Sequence, residues 1–168
     1  MNQRFEQIYT ANREAVRAYV RRRAPDAVVD DVVSETFLVC LRRIDQVPHE
    51  ALPWLYAVAW KTLANERRKQ ARAAPSDALP VGAPAPVGAP APVGDGVLAT
   101  AFNALSEGDR EVLRLVAWEG LSLADAATVL GCSGVTCRVR YHRAKTRLAS
   151  RLAAAESIRR PQPKEVTR

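Results

Sequence analysis

Hydrophobic residues in the first 74 positions recur with the spacing of helices that bury one face. In the first such segment, which ends before Pro25, they are Phe5, Ile8, Val16 and Tyr19. Spacings of four, four and three residues define a second stripe, formed by Val33, Phe37, Leu41 and Ile44. A third segment, predicted from about Ala51 to Arg72, carries Leu55, Val58, Ala59 and Thr62 on one side. This periodicity predicts three amphipathic helices in the first part of the chain.

Acidic residues mark the start of the second predicted helix. Asp26 follows Pro25 and is predicted to cap the helix, because a short polar side chain can accept a hydrogen bond from its first amides. Asp30, Asp31 and Glu35 lie off the hydrophobic stripe. Their negative charge suits the positive end of the helix dipole. Because they lie off the hydrophobic stripe, they are expected on the solvent side.

The middle of the chain has a different composition. Residues 75–96 contain most of the prolines and half of the glycines, and the hexapeptide VGAPAP occurs at Val81 and again at Val87. Repeated Ala-Pro steps lack amide donors and favour extended polyproline II structure. We therefore predict a flexible extended linker over 75–96, which at about 3.1 Å per residue reaches roughly 70 Å. Two flanking units could then work far apart.

Capping residues downstream of the linker predict a helix-turn-helix. Ser122 precedes a short helical segment that ends at Gly131, and Ser133 precedes a second, longer one. Serine accepts hydrogen bonds from the first amides of a helix, and glycine commonly terminates one. No acidic residue occurs between Ala126 and Glu156, so every charged residue in this part of the second helix is basic. This is expected for a helix that enters a DNA groove.

Projected at about 100° per residue, the second helix of this motif has two distinct faces. A core-facing stripe is predicted at Cys137, Tyr141, Ala144 and Leu148. The opposite face and its flanks are predicted to contact DNA through Thr136, Arg138, Val139, Arg140, His142, Arg143, Lys145, Thr146 and Arg147. Residues at the centre of that face would read base edges, whereas the basic flanks would contact phosphates.

Other interpretations of these residues stay open. A basic run is often only a solvated helix face, and His142 could be an exposed side chain without a DNA contact. Cys132, Cys137 and His142 could be imagined around a metal, but they lack a convincing fourth ligand and CxxC spacing. Three cysteines in a chain without a secretion signal instead indicate reduced thiols that fill apolar space. We assign no metal and no cofactor.

Charge and motif content narrow the class of protein. A net charge of +7 favours a polyanionic partner, for which a nucleic acid and a membrane surface are both candidates. The sequence contains no apolar signal core and no run near the roughly 20 apolar residues that span a bilayer, so we expect a cytoplasmic protein without membrane insertion. It also contains no Gly-rich phosphate loop and no Ser-His-Asp context, so an enzyme is not expected.

Segments on both sides of the linker resemble one protein family. Downstream, LSEGDREVLRLVAWEGLSLADAATVLGCSGVTCRVRYHRAKTRL resembles region 4 of the extracytoplasmic-function sigma factors of the sigma-70 superfamily. Upstream, the chain resembles region 2.2 in VVDDVVSETFLVCLRRID, and regions 2.3 and 2.4 in ALPWLYAVAWKTLANERRKQAR. Cys137 and Val139 depart from the family's usual valine and small polar residue, which leaves the promoter sequence open.

The resemblance implies an all-α fold of two small helical domains joined by the Pro/Gly/Ala-rich linker. Their expected bounds are 1–74 for region 2, 75–96 for the linker, 97–155 for the region 4 helix-turn-helix and 156–168 for a tail. It further implies a sigma factor that binds the β′ clamp and β flap of bacterial core RNA polymerase. Such a factor directs promoter recognition, DNA melting and transcription initiation while the polymerase supplies the catalysis, and an anti-sigma factor is a further expected partner.

The resemblance also implies roles for residues of the first domain. Asp31 and Glu35 would dock on the β′ clamp, although they could equally be solubilising charges. The unwound −10 strand, which needs stacking surfaces and cations, would contact Trp54, Lys61, Asn65 and Arg68. Trp54 could instead belong to the core. The loop 45–50 matches the family's pocket for a flipped base.

Two rival functions use the same features differently. A conventional regulator would bind an operator through the helix-turn-helix and dimerise through its first half, but WLYAVAWKTLAN has a sigma-like order that dimerisation does not require. An interaction adaptor would present the linker as a Pro-rich ligand, but Ala-Pro-Ala-Pro lacks the cations that such ligands usually carry.

Overall fold

The computed structural model describes residues 3–73 and 96–159. Within these ranges every regular element is a helix and no strand occurs, which confirms the predicted all-α fold. The predicted linker, apart from Gly96, and residues 160–168 of the predicted tail lie outside the described residues. No helix in the described ranges has the length and apolar character needed to cross a lipid bilayer.

The first unit consists of three helices that share one core. They are α1 (Gln3–Arg21), α2 (Asp26–Arg42) and α3 (Ala51–Ala73), with a 3₁₀ turn at Ile44–Gln46 between the last two. The predicted periodicity is confirmed at Val16, Tyr19, Val33, Phe37, Leu55 and Ala59, which are buried. On α3 the stripe differs from the prediction, because Val58 and Thr62 are only half-buried and Leu63 is buried instead. The ring of Tyr19 on α1 also stacks on that of Tyr56 on α3, with centroids 4.3 Å apart, which joins the two helices.

Two details of α2 differ from the sequence prediction. Pro25 rather than Asp26 is the N-cap residue, and no side chain caps this helix; the fixed φ of proline suits the entrance to a helix. Leu41 is 44% exposed, whereas Cys40 is fully buried. Each four-residue step along a helix rotates the side chain by about 40°, so the stripe drifts until residue 40 rather than 41 faces the core.

The second unit consists of four helices. They are α4 (Val97–Asn103), α5 (Glu107–Ala117), α6 (Leu123–Leu130) and α7 (Gly134–Arg159). Helix α7 packs against the other three, and their common core contains Phe102, Leu115, Val129, Cys137 and Ala144. Since α7 is continuous to Arg159, the helix extends past the predicted domain boundary at 155.

A buried ion cluster joins the two units. Arg23, in the turn between α1 and α2, is 1% exposed, and its Nε lies 3.0 Å from both carboxylate oxygens of Glu111 on α5. Its Nη1 donates to Glu119 at 2.9 Å, and the Tyr19 hydroxyl donates to Glu111 at 3.0 Å. Burial, followed by the charge of Glu111, raises the pKa of Tyr19, so its hydroxyl stays a donor.

Further polar contacts surround this cluster. Arg22 pairs with Glu119, and Arg67 on α3 pairs with Glu107 at the start of α5. Arg67 also donates to the carbonyl oxygen of Arg23 at 3.2 Å. Helix α3 packs directly against α6, so the first and second units form one closed body despite the long linker predicted between them.

Candidate nucleic-acid interface

Two serine N-caps and one left-handed glycine fix the turn between α6 and α7. The Ser122 Oγ accepts a hydrogen bond from the amide of Asp125 at 3.1 Å, which caps α6. Gly131 ends that helix with a left-handed backbone, φ +64°. The Ser133 Oγ then accepts from the amide of Thr136 at 3.1 Å, which caps α7. The three capping positions predicted from the sequence are thereby confirmed.

Substitution of the two glycines at this turn is expected to have opposite effects. Gly131→Ala should destabilise the protein by about 1–2 kcal/mol, because a Cβ disfavours the left-handed conformation. Gly134, the first residue of α7, has open space where a Cβ would lie and no left-handed φ. Gly134→Ala should therefore stabilise the protein by about 0.4–1 kcal/mol. Denaturant unfolding of both variants measures this, and changes of the same sign would contradict the turn geometry.

The predicted orientation of α7 is confirmed by burial. Cys137 and Ala144 have no exposed surface, and Tyr141 and Leu148 pack against the core. On the other side, Thr136, Arg138, Val139, His142, Arg143, Lys145, Thr146 and Arg147 are exposed, and Arg140 is half-buried. The helix therefore presents a basic face to solvent, and DNA contacts by that face stay a prediction.

A shallow groove of about 400 Å³ lies between this face and α5. Its lining residues are Asp109, Val135, Thr136, Val139, Arg140, Arg143 and Arg147. Arg147 forms an ion pair of 2.5 Å with Asp109, whose carboxylate is buried. Asp109 was not predicted as part of this surface, because nothing in the linear pattern shows that α5 comes beside α7. Val135, which is 75% exposed, was not predicted either.

The residues predicted for the clamp and for the −10 strand line one groove. It lies between α2 and α3, has a volume of about 920 Å³, and includes Asp31, Glu35, Trp54, Lys61, Asn65 and Arg68. The acidic side of α2 thus faces the basic side of α3. Trp54 is half-buried and packs against the core while also lining the groove, so both interpretations of this residue fit the structure.

Contacts from α1 anchor the loop that was predicted to bind a flipped base. Arg4 donates to the carbonyl oxygens of Ile44, at 3.0 Å, and of Val47. Val47 is buried, whereas Pro48, His49 and Glu50 are exposed. The backbone on which the exposed part of the loop is mounted is therefore held in place by α1.

The cysteines are free thiols in apolar surroundings. Cys40 and Cys137 are buried and Cys132 is half-buried. Burial, together with the neighbouring Cys132, raises the pKa of Cys137, so the thiol stays protonated at neutral pH. In the described part of the chain, no group of three or more His, Cys, Asp or Glu side chains is arranged to hold a metal.

Comparison with known proteins identifies the family. The family described as Sigma-70 region 2 matches residues 8–73, and Sigma-70, region 4 matches residues 96–148. The ECF RNA polymerase sigma factor EcfG of Rhodopseudomonas palustris (strain TIE-1) is 32% identical over 130 residues, which are 73% of this chain and 70% of EcfG. The chain belongs to the extracytoplasmic-function sigma factors.

Three further proteins are similar to this extracytoplasmic-function sigma factor over most of their length. RNA polymerase sigma factor NccH of Alcaligenes xylosoxydans xylosoxydans is 26% identical over 143 residues, 79% of this chain and 77% of NccH. CnrH, solved in complex with the cytosolic domain of CnrY, is 26% identical with a TM-score of 0.60 and coverages of 91% and 90%. RpoE from Bartonella quintana, solved in complex with the anti-sigma factor NepR, is 25% identical with a TM-score of 0.64 and coverages of 89% and 96%.

Membership of this family settles the class of activity. The sigma factor binds core RNA polymerase and directs it to promoters. It is a transcription initiation factor and not an enzyme.

Proposed function

We propose that this sigma factor divides promoter recognition between its two units. The region 2 domain, residues 1–74, captures the unwound −10 strand and docks on the β′ clamp. The region 4 domain, which begins at residue 97 and includes all of α7, reads the −35 element and docks on the β flap, and residues 75–96 link the two. The observation that carries this proposal is the basic, solvent-facing side of α7 opposite its buried stripe.

In the −35 complex, α7 lies in the major groove with Val139 and Arg143 toward the base edges. An arginine there can bond to guanine in bidentate fashion, and Thr136, His142 and Thr146 are exposed beside it. The remaining cations, on the flanks, suit the phosphates on either side. The capped turn holds this surface in place on the core of the second unit.

In the −10 complex, the α2/α3 groove serves two partners. Lys61, Asn65 and Arg68 are exposed on α3 and suit the phosphates and base edges of a single strand, while the half-buried Trp54 offers a stacking surface. Asp31 and Glu35 are exposed on α2 and suit a basic partner such as a clamp surface. Charge thus separates the polymerase side of the groove from the DNA side.

The remaining partners are proposed from surface character and relatives. Leu98 and Trp118 are each 47% exposed, and the Trp118 ring contacts Phe102, one turn after Leu98, with centroids 6.0 Å apart. This apolar patch suits the β flap. Two similar structures contain the cytosolic domain of CnrY and the anti-sigma factor NepR, so an anti-sigma factor is proposed as a regulator. The site of action is the cytoplasm, where polymerase and chromosome meet.

Transcription in vitro from a random-sequence promoter library tests this function. Core polymerase with the protein should produce transcripts whose templates share two sequence blocks at a fixed spacing. The proposal would be contradicted if transcription did not exceed that of core polymerase alone.

A second experiment measures permanganate reactivity of the melted promoter strand. The double substitution Lys61→Ala/Arg68→Ala should abolish this reactivity. The control Arg13→Ala/Arg21→Ala, an equal change of charge on the exposed side of α1, should retain it.

A further inference from the structure

Two valines interrupt the basic, solvent-facing side of α7. Val135 is 75% exposed and Val139 is 44% exposed. They are four residues apart, so their side chains lie on the same side of the helix, and both line the shallow groove together with Arg143. An apolar surface therefore lies directly beside the arginine that is proposed to read a −35 base.

Folding of the second unit does not account for these two valines. A β-branched side chain at an exposed helix position has a lower helix propensity than alanine, and packing cannot compensate at Val135, because most of its surface is exposed. The stripe that holds α7 on the core is formed instead by Cys137, Tyr141, Ala144 and Leu148. An apolar pair within a basic surface indicates a partner that is anionic overall and apolar at this point.

The polar side chains next to the pair are already bonded within the protein. The hydroxyl groups of Thr136 and Ser133 share a hydrogen bond of 2.9 Å in the cap of α7, and Arg147 is paired with Asp109. At the N-terminal end of this face, the groups that meet a base edge are therefore mainly the valine methyl groups.

Thymine carries the apolar group that the major groove of DNA offers. Its C5 methyl projects into this groove, whereas cytosine presents an amino donor there. A valine packed on the methyl group removes apolar surface from water, but a valine packed on the cytosine amino group leaves that donor without an acceptor. Both effects favour thymine over cytosine opposite the pair.

We propose that Val135 and Val139 read the methyl groups of two thymines in the −35 element, on one side of the base that Arg143 reads. This inference rests on the proposed −35 role of α7 and adds the class of base that the start of this helix selects. The two valines are about 6 Å apart along the helix axis, which is close to two base-pair steps of about 3.4 Å each. The two thymines are therefore expected within three consecutive base pairs.

Replacement of thymine by deoxyuridine tests this inference, because uracil pairs with adenine as thymine does but lacks the C5 methyl group. Holoenzyme affinity is measured for a promoter selected from the random-sequence library, with each −35 thymine on either strand replaced in turn. Two of these replacements should weaken binding by about fourfold each, the value of one buried methyl group. The other replacements should have little effect.

The valine variants connect this loss to the protein. Val135→Ala should abolish the effect of uracil at one of the two positions, and Val139→Ala should abolish it at the other, because each variant removes the side-chain methyls that contact the thymine. Both variants should fold, since the side chains are exposed and alanine favours a helix, and circular dichroism checks this. Arg138→Ala is the control, which should weaken binding to all promoters but keep both uracil effects.

The outcomes separate this inference from the −35 assignment on which it rests. Uracil effects that are absent, or equal in the unsubstituted protein and in both valine variants, would overturn the inference, and so would a −35 element made only of G·C pairs. If Arg143→Ala still causes a base-specific loss in that case, the −35 assignment stands and only thymine reading fails. If Arg143→Ala causes no base-specific loss either, the −35 assignment fails as well.

Discussion

Holoenzyme carrying Arg143→Ala is expected to lose about 1–3 kcal/mol of discrimination at a single −35 base pair, the usual value of a bidentate arginine–guanine contact. Arg143 is exposed on the face of α7 opposite the buried Cys137 and Ala144, and it lines the groove beside α5. The measurement is holoenzyme affinity for a set of single-base −35 variants at several salt concentrations. The affinity of this holoenzyme for promoters changed at the other −35 positions should fall by a common factor.

Arg138→Ala is the matched control for this prediction. Arg138 is exposed on the flank of the same helix, so its loss should weaken all promoters alike and reduce the salt slope by about one unit. Arg147 is less suitable, since its removal also leaves the buried carboxylate of Asp109 without its ion pair. Equal, sequence-blind losses from Arg143→Ala and Arg138→Ala would show that α7 presents a different face to the groove.

Leu55→Ala is expected to lower the free energy of unfolding by about 2–5 kcal/mol, because it removes a fully enclosed side chain and leaves a cavity. Leu55 lies on α3 at the centre of the first unit and has no exposed surface. Such a loss is a large part of the stability of a small domain, so polymerase binding should fall with it. Guanidinium unfolding followed by circular dichroism measures the change.

The control for Leu55→Ala is an exposed leucine in the same unit. Leu38 on α2 is 46% exposed, and Leu38→Ala should change the free energy of unfolding by only about 0.5 kcal/mol. Similar losses at the two positions would contradict the packing of the first unit.

Local signals account for what could be predicted from the sequence. Helical periodicity placed Val16, Phe37 and Leu55 in the core, and the caps at Ser122 and Ser133 located the helix-turn-helix, because these features depend on residues close together in the chain. The direction of the α7 face followed from the same periodicity. Family resemblance supplied the roles of the two units.

Tertiary contacts account for what could not be predicted. Arg23 and Glu111 are 88 residues apart, and no local pattern shows that these two charges meet in a buried cluster. The Pro-rich composition of residues 75–96 predicted an extended linker that could hold the two units far apart. It gave no sign that the two units pack against each other. Leu41 fits the predicted four-residue spacing but lies outside the core, because side chains spaced by exactly four residues rotate gradually away from one face of a helix.

The capped turn between α6 and α7 has a consequence for how promoters compete. Its angle is fixed when the protein folds, so the backbone entropy that a flexible reading loop would lose on binding has already been lost. In the proposed −35 complex, the α7 side chains would meet DNA as a preorganised set, and promoters would differ through their contacts and their ease of deformation. For such a rigid reader, we expect differences in promoter affinity to appear mainly in dissociation rates, and so in the residence time on each promoter.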